Sequence, residues 1–438
     1  MCAALLLSAV LLGGGGTPDP LAELILQFIV AGAIALTLMT ADDRVAWSKS
    51  AIAVGILVLA IPLIQIIPLP SSVWQAIPGA GVRQVGLESV SAGQSWRPVS
   101  LAPYRTLASL LAIASAVAMM LLTVRLTRAD RTMLLTVLIV SGLLTTVLGA
   151  FQVATGEAAP RLYDGSHHGW ITGFFANRNA AADLLLIALC ALIAVARDRA
   201  HAVPRAVIVV AAILLVAGVV FTASRAGIAL LTVPALMAAF VLARPDRGAG
   251  RAVKVVGGLA ALGALAVAAA VLIPGRLQTI AQRYTQGDTT RESLWADTLY
   301  AIGQFWPTGS GIGTFVPTFI ALEPLESVDA SLPNRAHNDW LEFTLEAGAL
   351  WLLALAAIAI LAWQAWLRWK RHDIPTAHLA FALSGLTIVA LHSLVDYPLR
   401  TMTLGMITGM MAGFLFAVPR NFREEGNPMQ KRDFSEIR

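Results

Sequence analysis

TMLLTVLIVSGLLTTVLGAFQV, residues Thr132–Val153, is a run of 22 positions without one ionisable side chain. At about 1.5 Å of rise per residue, a helix of that length covers the roughly 30 Å hydrocarbon core of a bilayer. Arg125, Arg128 and Arg131 stand just before it. An apolar run with arginines gathered at one end reads as a membrane span whose basic end faces the cytoplasm.

Working outward from this stretch, further apolar runs of comparable length fall at about 3–16, 21–40, 51–69 and 104–124 on its N-terminal side. On the C-terminal side they fall at about 177–196, 206–223, 227–243, 255–273, 347–367, 376–395 and 401–418. The reading is an all-α membrane protein of about twelve transmembrane helices. Several of the runs are rich in Gly and Ala, which lets helices approach closely in lipid, so a compact bundle is expected. Met1–Leu12 has the length of a signal-peptide core but no Lys/Arg start and no small-residue cleavage site, and is read as the first membrane helix.

Composition agrees. The 438 residues are 57% hydrophobic and 13% charged, about half the charged fraction of a soluble domain. Mean hydropathy is +0.74, so the chain carries more apolar surface than one water-soluble core can hide. The net charge of +5 does not point to nucleic acid, because the basic residues sit in short clusters between apolar runs. Cys2 and Cys190 lie far apart in apolar sequence and suggest neither a disulfide framework nor a metal cluster.

Basic clusters occur in alternate loops: Arg44/Lys49, Arg125/Arg128/Arg131, Arg197/Arg199/Arg205, Arg244/Arg247/Arg251/Lys254, Arg368/Lys370/Arg371 and the tail after Arg420. All four lysines belong to that set, which places both termini in the cytoplasm. The opposite loops, Pro70–Pro103, Ala154–Ala176 and the long Pro274–Glu346, are then periplasmic. The expected organisation is helices 1–9 in residues 1–273, a partly helical periplasmic loop domain in 274–346, helices 10–12 in 347–418 and a cytoplasmic tail in 419–438. Within the long loop, Leu294, Thr298, Leu299, Ile302 and Phe305 follow a helical period over Thr290–Trp306, the pattern of an amphipathic helix lying on the membrane surface. Pro307-Thr308-Gly309-Ser310-Gly311-Ile312-Gly313 breaks it.

Three features put charged groups at the outer membrane edge without a cytoplasmic anchor to explain them. Arg225 sits in the short hairpin Thr222-Ala223-Ser224-Arg225-Ala226-Gly227, where it either snorkels to headgroups or forms an anion site. Arg291 opens the loop helix, and an Arg next to an acid is by itself most often a solvated charge. His337 stands in Asn334-Arg335-Ala336-His337-Asn338-Asp339-Trp340-Leu341-Glu342, and imidazole near neutrality suits proton transfer.

Phe174-Phe175-Ala176-Asn177-Arg178-Asn179-Ala180-Ala181, then Ser224-Arg225-Ala226-Gly227, then Arg291-Glu292-Ser293-Leu294-Trp295 with Pro307 to Phe315, then Ala336 to Glu342, resemble in order the motifs of the O-antigen ligase and polymerase superfamily. His392-Ser393-Leu394-Val395-Asp396-Tyr397-Pro398-Leu399 is similar to that family as well, so the resemblance spans roughly residues 150 to 415.

The resemblance implies a multi-pass enzyme of the bacterial inner membrane that moves a glycan from undecaprenyl diphosphate to an acceptor hydroxyl on the periplasmic side. No cofactor and no metal are implied, and the mechanism would be inverting. Partners would be the carrier-linked glycan, lipid A-core or a growing glycan as acceptor, and membrane lipids, with no nucleic acid. Guanidinium groups can bind a departing diphosphate bidentately, the part expected of Arg225 and Arg291. Asp42-Asp43 lies on the cytoplasmic side and reads as a solvated loop rather than a metal site. His337 is the expected general base, with Asn338, Asp339 or Glu342 orienting it. Arg178, Asn179, Asn338, Glu342 and Asp396 are expected on the substrate side, Asp396 within reach of Arg400 or another arginine. The alternative for Asn177 is a helix cap and for Asp396 an interfacial ion pair. A ligase acting on lipid A-core is the leading reading. A polymerase of O-antigen or exopolysaccharide units and a lipid-glycan flippase are its rivals.

The alternation of basic clusters predicts that a cysteine placed near Gly287 reacts with a membrane-impermeant thiol reagent from the periplasmic side. Labelling from the cytoplasmic side alone would reverse the orientation.

Overall fold

The computed structural model describes residues 1–16, 20–40, 47–163, 166–198, 203–242, 258, 289–324, 333–371 and 376–417. In chain order the helices are α1 (Cys2–Leu12), α2 (Pro20–Thr40), α3 (Lys49–Gln65), α4 (Ser71–Trp74), α5 (Gly81–Ser89), α6 (Pro103–Val124), α7 (Arg128–Thr155) and α8 (Arg178–Asp198). They continue with α9 (Arg205–Phe221), α10 (Arg225–Ala229), α11 (Thr232–Leu242), α12 (Thr289–Phe305), α13 (Phe315–Leu322), α14 (Asp339–Ala347), α15 (Ala349–Arg371), α16 (Thr376–His392) and α17 (Met402–Leu415). Among the described residues the fold is all-α, with one antiparallel bridge pairing Leu69 and Arg97.

Five helices are long and apolar enough to cross a membrane: Leu21–Thr40, Pro103–Val124, Arg128–Thr155, Arg178–Asp198 and Ala349–Arg368. Six shorter apolar helices accompany them, in α1, α3, α9, α10–α11, α16 and α17. The described residues thus hold helices at eleven of the expected apolar runs, five of them of full spanning length. Local breaks shorten others: α3 ends at Gln65, ahead of Pro68 and Pro70, which lack an N–H and disfavour helix at the residue before them. Similarly, the run expected over 227–243 is divided into α10 and α11. The ninth expected span at 255–273, apart from residue 258, the boundary at 273/274 and the tail 419–438 lie outside the described residues.

Helix starts follow side-chain chemistry. Thr127 and Asp130 form a reciprocal capping box at the head of α7, each satisfying a backbone N–H of the other. Ser48, Ser224, Asn338 and Thr401 cap α3, α10, α14 and α17 in the same sense, their side-chain oxygens accepting from the first turn.

Helix α8 is the axis of the bundle: 89% of its apolar window is buried inside the protein, against 22% for α2 and 11% for α15. On α2, Leu21, Phe28, Leu38 and Met39 are exposed, and on α15 Leu353, Ile360 and Trp363 are, so these helices present the lipid-facing surface. Close approach elsewhere depends on small residues. Gly405, Gly409 and Gly413 repeat every fourth position along α17 and lie against α6, where a Cβ at Gly409 would run into the Ala116 carbonyl oxygen.

Charged pairs mark the two ends of the bundle. At one end Asp198 of α8 meets Arg128 of α7 and His378 of α16, each at 3.3 Å. At the other end the start of α8 meets the end of α16, and the loop elements α12 to α14 gather there. The basic clusters of the described loops around Arg125 to Arg131 and at Arg197 thus share one end, opposite the long loop.

Leu294, Ala301 and Phe305 of α12 pack with Phe315 and Phe319 of α13 and with Leu345 of α14. Protein therefore covers Leu294, Ala301 and Phe305 of α12, while Leu299 and Tyr300 stay exposed. Gly309, Gly311 and Gly313 have φ of +76°, +110° and +85°, so the chain after α12 can fold flat against Glu346, Ser100 and Arg105. Gln65, buried at the end of α3, locks that loop by donating to the Glu346 carbonyl at 2.8 Å and accepting from the Ile312 N–H at 2.9 Å.

Gly409→Leu should destabilise the α6/α17 contact by about 1–3 kcal/mol or more through overpacking. Gly32→Leu, at a position on α2 with nothing within 4 Å, should leave stability unchanged. Thermal unfolding of both variants in detergent checks this; equal melting points would show that the glycine stripe does not set the helix separation.

Candidate functional site

The stretch Asn334–Asp339 is shaped by where its helix begins. Asn338 caps α14, accepting from the Leu341 N–H at 3.1 Å, so His337 falls just outside the helix. Its φ is +50°, a left-handed conformation that non-glycine residues adopt at a cost, commonly about 1–3 kcal/mol. The His337 side chain is 31% exposed, and its Nδ1 lies 3.5 Å from Oδ1 of the buried Asp396. Tyr397 meets the imidazole edge-on, with ring centroids 5.0 Å apart.

A clamp of backbone bonds holds this geometry. The Asp339 N–H donates to the carbonyls of Ser393 at 2.9 Å and Asp396 at 3.2 Å. In return, its carboxylate accepts from the Ser393 hydroxyl at 3.0 Å and the Leu399 N–H at 3.1 Å. Arg291 donates from Nη1 to the Val395 carbonyl at 3.0 Å. The turn Ser393–Tyr397 is thus tied both to the strained His337 segment and to the head of α12.

The other side of the turn faces the start of α8. Asn177 accepts from the Asn179 N–H at 2.8 Å, closing the first turn as a cap would. Asn179 reaches the Asp396 carboxylate and Asn177 the Tyr397 hydroxyl. Burial works against charge on Asp396, but its contact with His337, the charge of His392 and a hydrogen bond from Asn179 hold its carboxyl below the usual range. Burial and the Asp396 charge push the Tyr397 hydroxyl up to about 12. The Arg178 N–H donates to Nδ1 of His167 at 3.4 Å, and its guanidinium stacks 5.3 Å from the Trp170 ring centroid.

Behind the turn lies an ion cluster that the sequence reading did not assemble. Asp339, Glu342 and Glu346 recur at i, i+3 and i+7, which puts three acids on one face of α14. Arg400 meets all three, at 3.4, 3.3 and 2.9 Å respectively. Glu342 also accepts from Arg335 at 3.1 Å and from the Ala336 N–H at 3.0 Å. Burial pushes Asp339 up to about 7 despite the Arg400 charge beside it. Burial opposes the Arg400 charge too, but the three carboxylates more than offset it and lift its pKa above the usual guanidinium value.

The residues expected at the site are placed as follows by the fold. Asp396 pairs with His337, not with Arg400, which is occupied by the α14 acids. Asn338, expected on the substrate side, is a helix cap, and Glu342, expected there too, is wholly buried in the ion cluster. His337, Asp396, Asn179 and Arg291 do come together around one turn. Arg225 stands in the first turn of α10, half-buried and capped by Ser224, next to the start of α8. Asp183 was not singled out in the sequence, and His392 stood there only as part of a family-like motif, although a lone acid inside an apolar run was their signal. Among the described residues no group of three or more His, Cys, Asp or Glu side chains gathers to hold a metal ion.

Residues 209–355 match the family model described as O-antigen ligase, and the match supports the O-antigen ligase and polymerase superfamily that the motifs resemble. It covers Arg225, Arg291 and His337, while Asn179 and Asp396 fall outside it. No curated protein matches the chain.

Removing Arg400 leaves the buried Asp339 and Glu346 without their cation and Glu342 with Arg335 alone. Arg400→Gln should therefore cost about 3–5 kcal/mol and sharply lower the yield of folded protein. Arg335→Gln, which removes a more exposed partner of the same cluster, should cost less. Size-exclusion profiles and melting points in detergent test the order; an Arg400→Gln protein as stable as wild type would mean that the cluster does not hold the site together.

Proposed function

We propose that the protein transfers a glycan from undecaprenyl diphosphate to a hydroxyl of lipid A-core at the periplasmic face of the bacterial inner membrane, without a metal ion. One observation carries this reading: the partly exposed imidazole of His337 has its Nδ1 3.5 Å from the carboxylate of the buried Asp396. With Nδ1–H directed at Asp396, Nε2 is left as the proton acceptor, the tautomer being assigned from that contact. The match of residues 209–355 to the O-antigen ligase family supports glycosyltransferase-like chemistry in general terms.

In this reading the acceptor hydroxyl gives its proton to His337 Nε2 as its oxygen attacks the anomeric carbon. The bond from that carbon to the diphosphate oxygen breaks, the configuration inverts, and undecaprenyl diphosphate leaves with the bonding pair. Arg225 and Arg291 neutralise the departing diphosphate, the role a metal ion fills elsewhere. Arg178, stacked on Trp170 next to Asn179, adds a cation on the approach from α8. Asp396 keeps the His337 ring in place and stabilises the imidazolium that forms. Its carboxylate stays ionised across the neutral range because its pKa is held down.

The test is reconstitution in proteoliposomes with a defined carrier-linked glycan and lipid A-core. Glycosylated lipid A-core is the expected product. Extension of carrier-linked glycan instead would make the protein a polymerase, and translocation without a new glycosidic bond would make it a transporter. In the same assay His337→Ala and His337→Gln should insert normally and lose about 10²- to 10⁴-fold in rate, since an amide cannot take the proton. Arg225→Ala and Arg291→Ala should each lose a charge-assisted contact of about 1.5–3 kcal/mol, with only partial rescue by Lys. Near-normal transfer by either His337 variant would assign the proton to another group.

A further inference from the structure

His392 closes α16, and its Nδ1 lies 2.6 Å from Oδ1 of Asp183, with both side chains 1% exposed. Asp183 is five residues into α8, about 7.5 Å below its start at 1.5 Å per residue. An ionisable pair sunk this far among apolar side chains is costly and calls for a reason beyond packing, because leucine at both positions would fill the same space without desolvating charge.

The reason lies in what His392 supports. Its backbone carbonyl accepts from both the Val395 and Asp396 N–H groups, each at 2.9 Å. Those two residues are the ones the site uses: the Val395 carbonyl anchors Arg291, and the Asp396 carboxylate grips His337. The groups that act electrostatically on the His392 ring come from separate elements: Asp183 from α8, Asp396 from the turn above and Arg291 from α12. Asp396 in turn is faced by His337 and Asn179.

We infer that Asp183 and His392 are positioning residues, a buried strut between α8 and α16 that fixes the turn carrying Asp396 and the Arg291 anchor in register with His337. The pair touches neither donor nor acceptor. It acts by setting where Asp396 stands, and a displacement of about 1 Å at such a group costs on the order of 10²-fold in rate. A hydrogen-bonded acid–imidazole pair suits this better than apolar packing, because its short directional bond fixes ring orientation as well as distance.

This inference rests on the proposed transfer reaction, and the test separates the two. Single replacements strand a buried partner, so the main variant is the double change Asp183→Asn/His392→Gln, which keeps a neutral hydrogen bond and removes both charges. Asp183→Asn alone, which keeps an acceptor for the ring N–H, is the second. In whichever variant melts within a few degrees of wild type, kcat for glycan transfer should fall about 10- to 100-fold with donor KM unchanged. The acid limb of its pH–rate profile should also move to higher pH, since Asp396 loses the His392 charge that helps hold its carboxyl down. A folded variant with wild-type kcat and pH profile overturns the inference, as does failure of both variants to insert, which would assign the pair to folding alone. Absence of transfer by the wild-type protein would instead overturn the proposed function.

Discussion

The Arg400 guanidinium is the tie on which the site end of the molecule depends. It stands 6% exposed among Asp339, Glu342 and Glu346, and its face lies 4.1 Å from the Phe343 ring centroid. Three acids on one helix face repel one another, and buried they would take up protons or unfold the helix. One cation that reaches all three converts that repulsion into a bond between α14 and the segment leading into α17. Everything nearby uses the same residues twice. Asp339 also accepts from Ser393 and Leu399, Glu342 holds the Ala336 N–H, and Glu346 accepts from the Phe315 N–H.

His337 gains its conformation from this arrangement. It sits between Ala336, pinned by Glu342, and Asn338, committed to capping α14. With both neighbours fixed, the residue between them is held in the left-handed region, and its ring is turned toward Asp396. A strained residue needs such an over-determined setting to persist. The apolar part of the bundle supplies the rigidity beneath, with α8 at its centre and α17 seated on α6 through glycines. Neither surrounding lipid nor the hydrophobic effect presses these helices together inside a bilayer, so close van der Waals contact and the few polar ties carry that duty.

Much of this was legible in the sequence. Most of the expected apolar runs correspond to described helices, and the arginines at 125, 128, 131 and 197 do share one end. The motif residues His337, Asn179, Arg291 and Asp396, spread over more than two hundred positions, do meet around one turn. What could not be read was pairing. Asp396 was within reach of several cations by sequence, and it chose His337 because Arg400 was already surrounded. The acids of α14 showed their common face through spacing, yet nothing in that spacing named Arg400 as their partner. The apolar stripe of α12 was visible too, but whether lipid or protein covers a stripe depends on what else reaches it, here Phe315, Phe319 and Leu345.

By itself, then, the sequence determined that the chain lives in a membrane, where its helices run, which ends are basic and which polar residues stand at the opposite end. Each of these is a local property: a run of apolar side chains must meet hydrocarbon or a packed neighbour, whatever the rest of the chain does. Tertiary structure alone decided which acid meets which base, that Glu342 joins Arg400, and that Asp183 and His392 join beneath the site. Such choices turn on approaches of about 3 Å in a medium of low dielectric, where a charge with a partner is stable and one without is not. Only the packed bundle brings positions as distant as 183 and 392 that close.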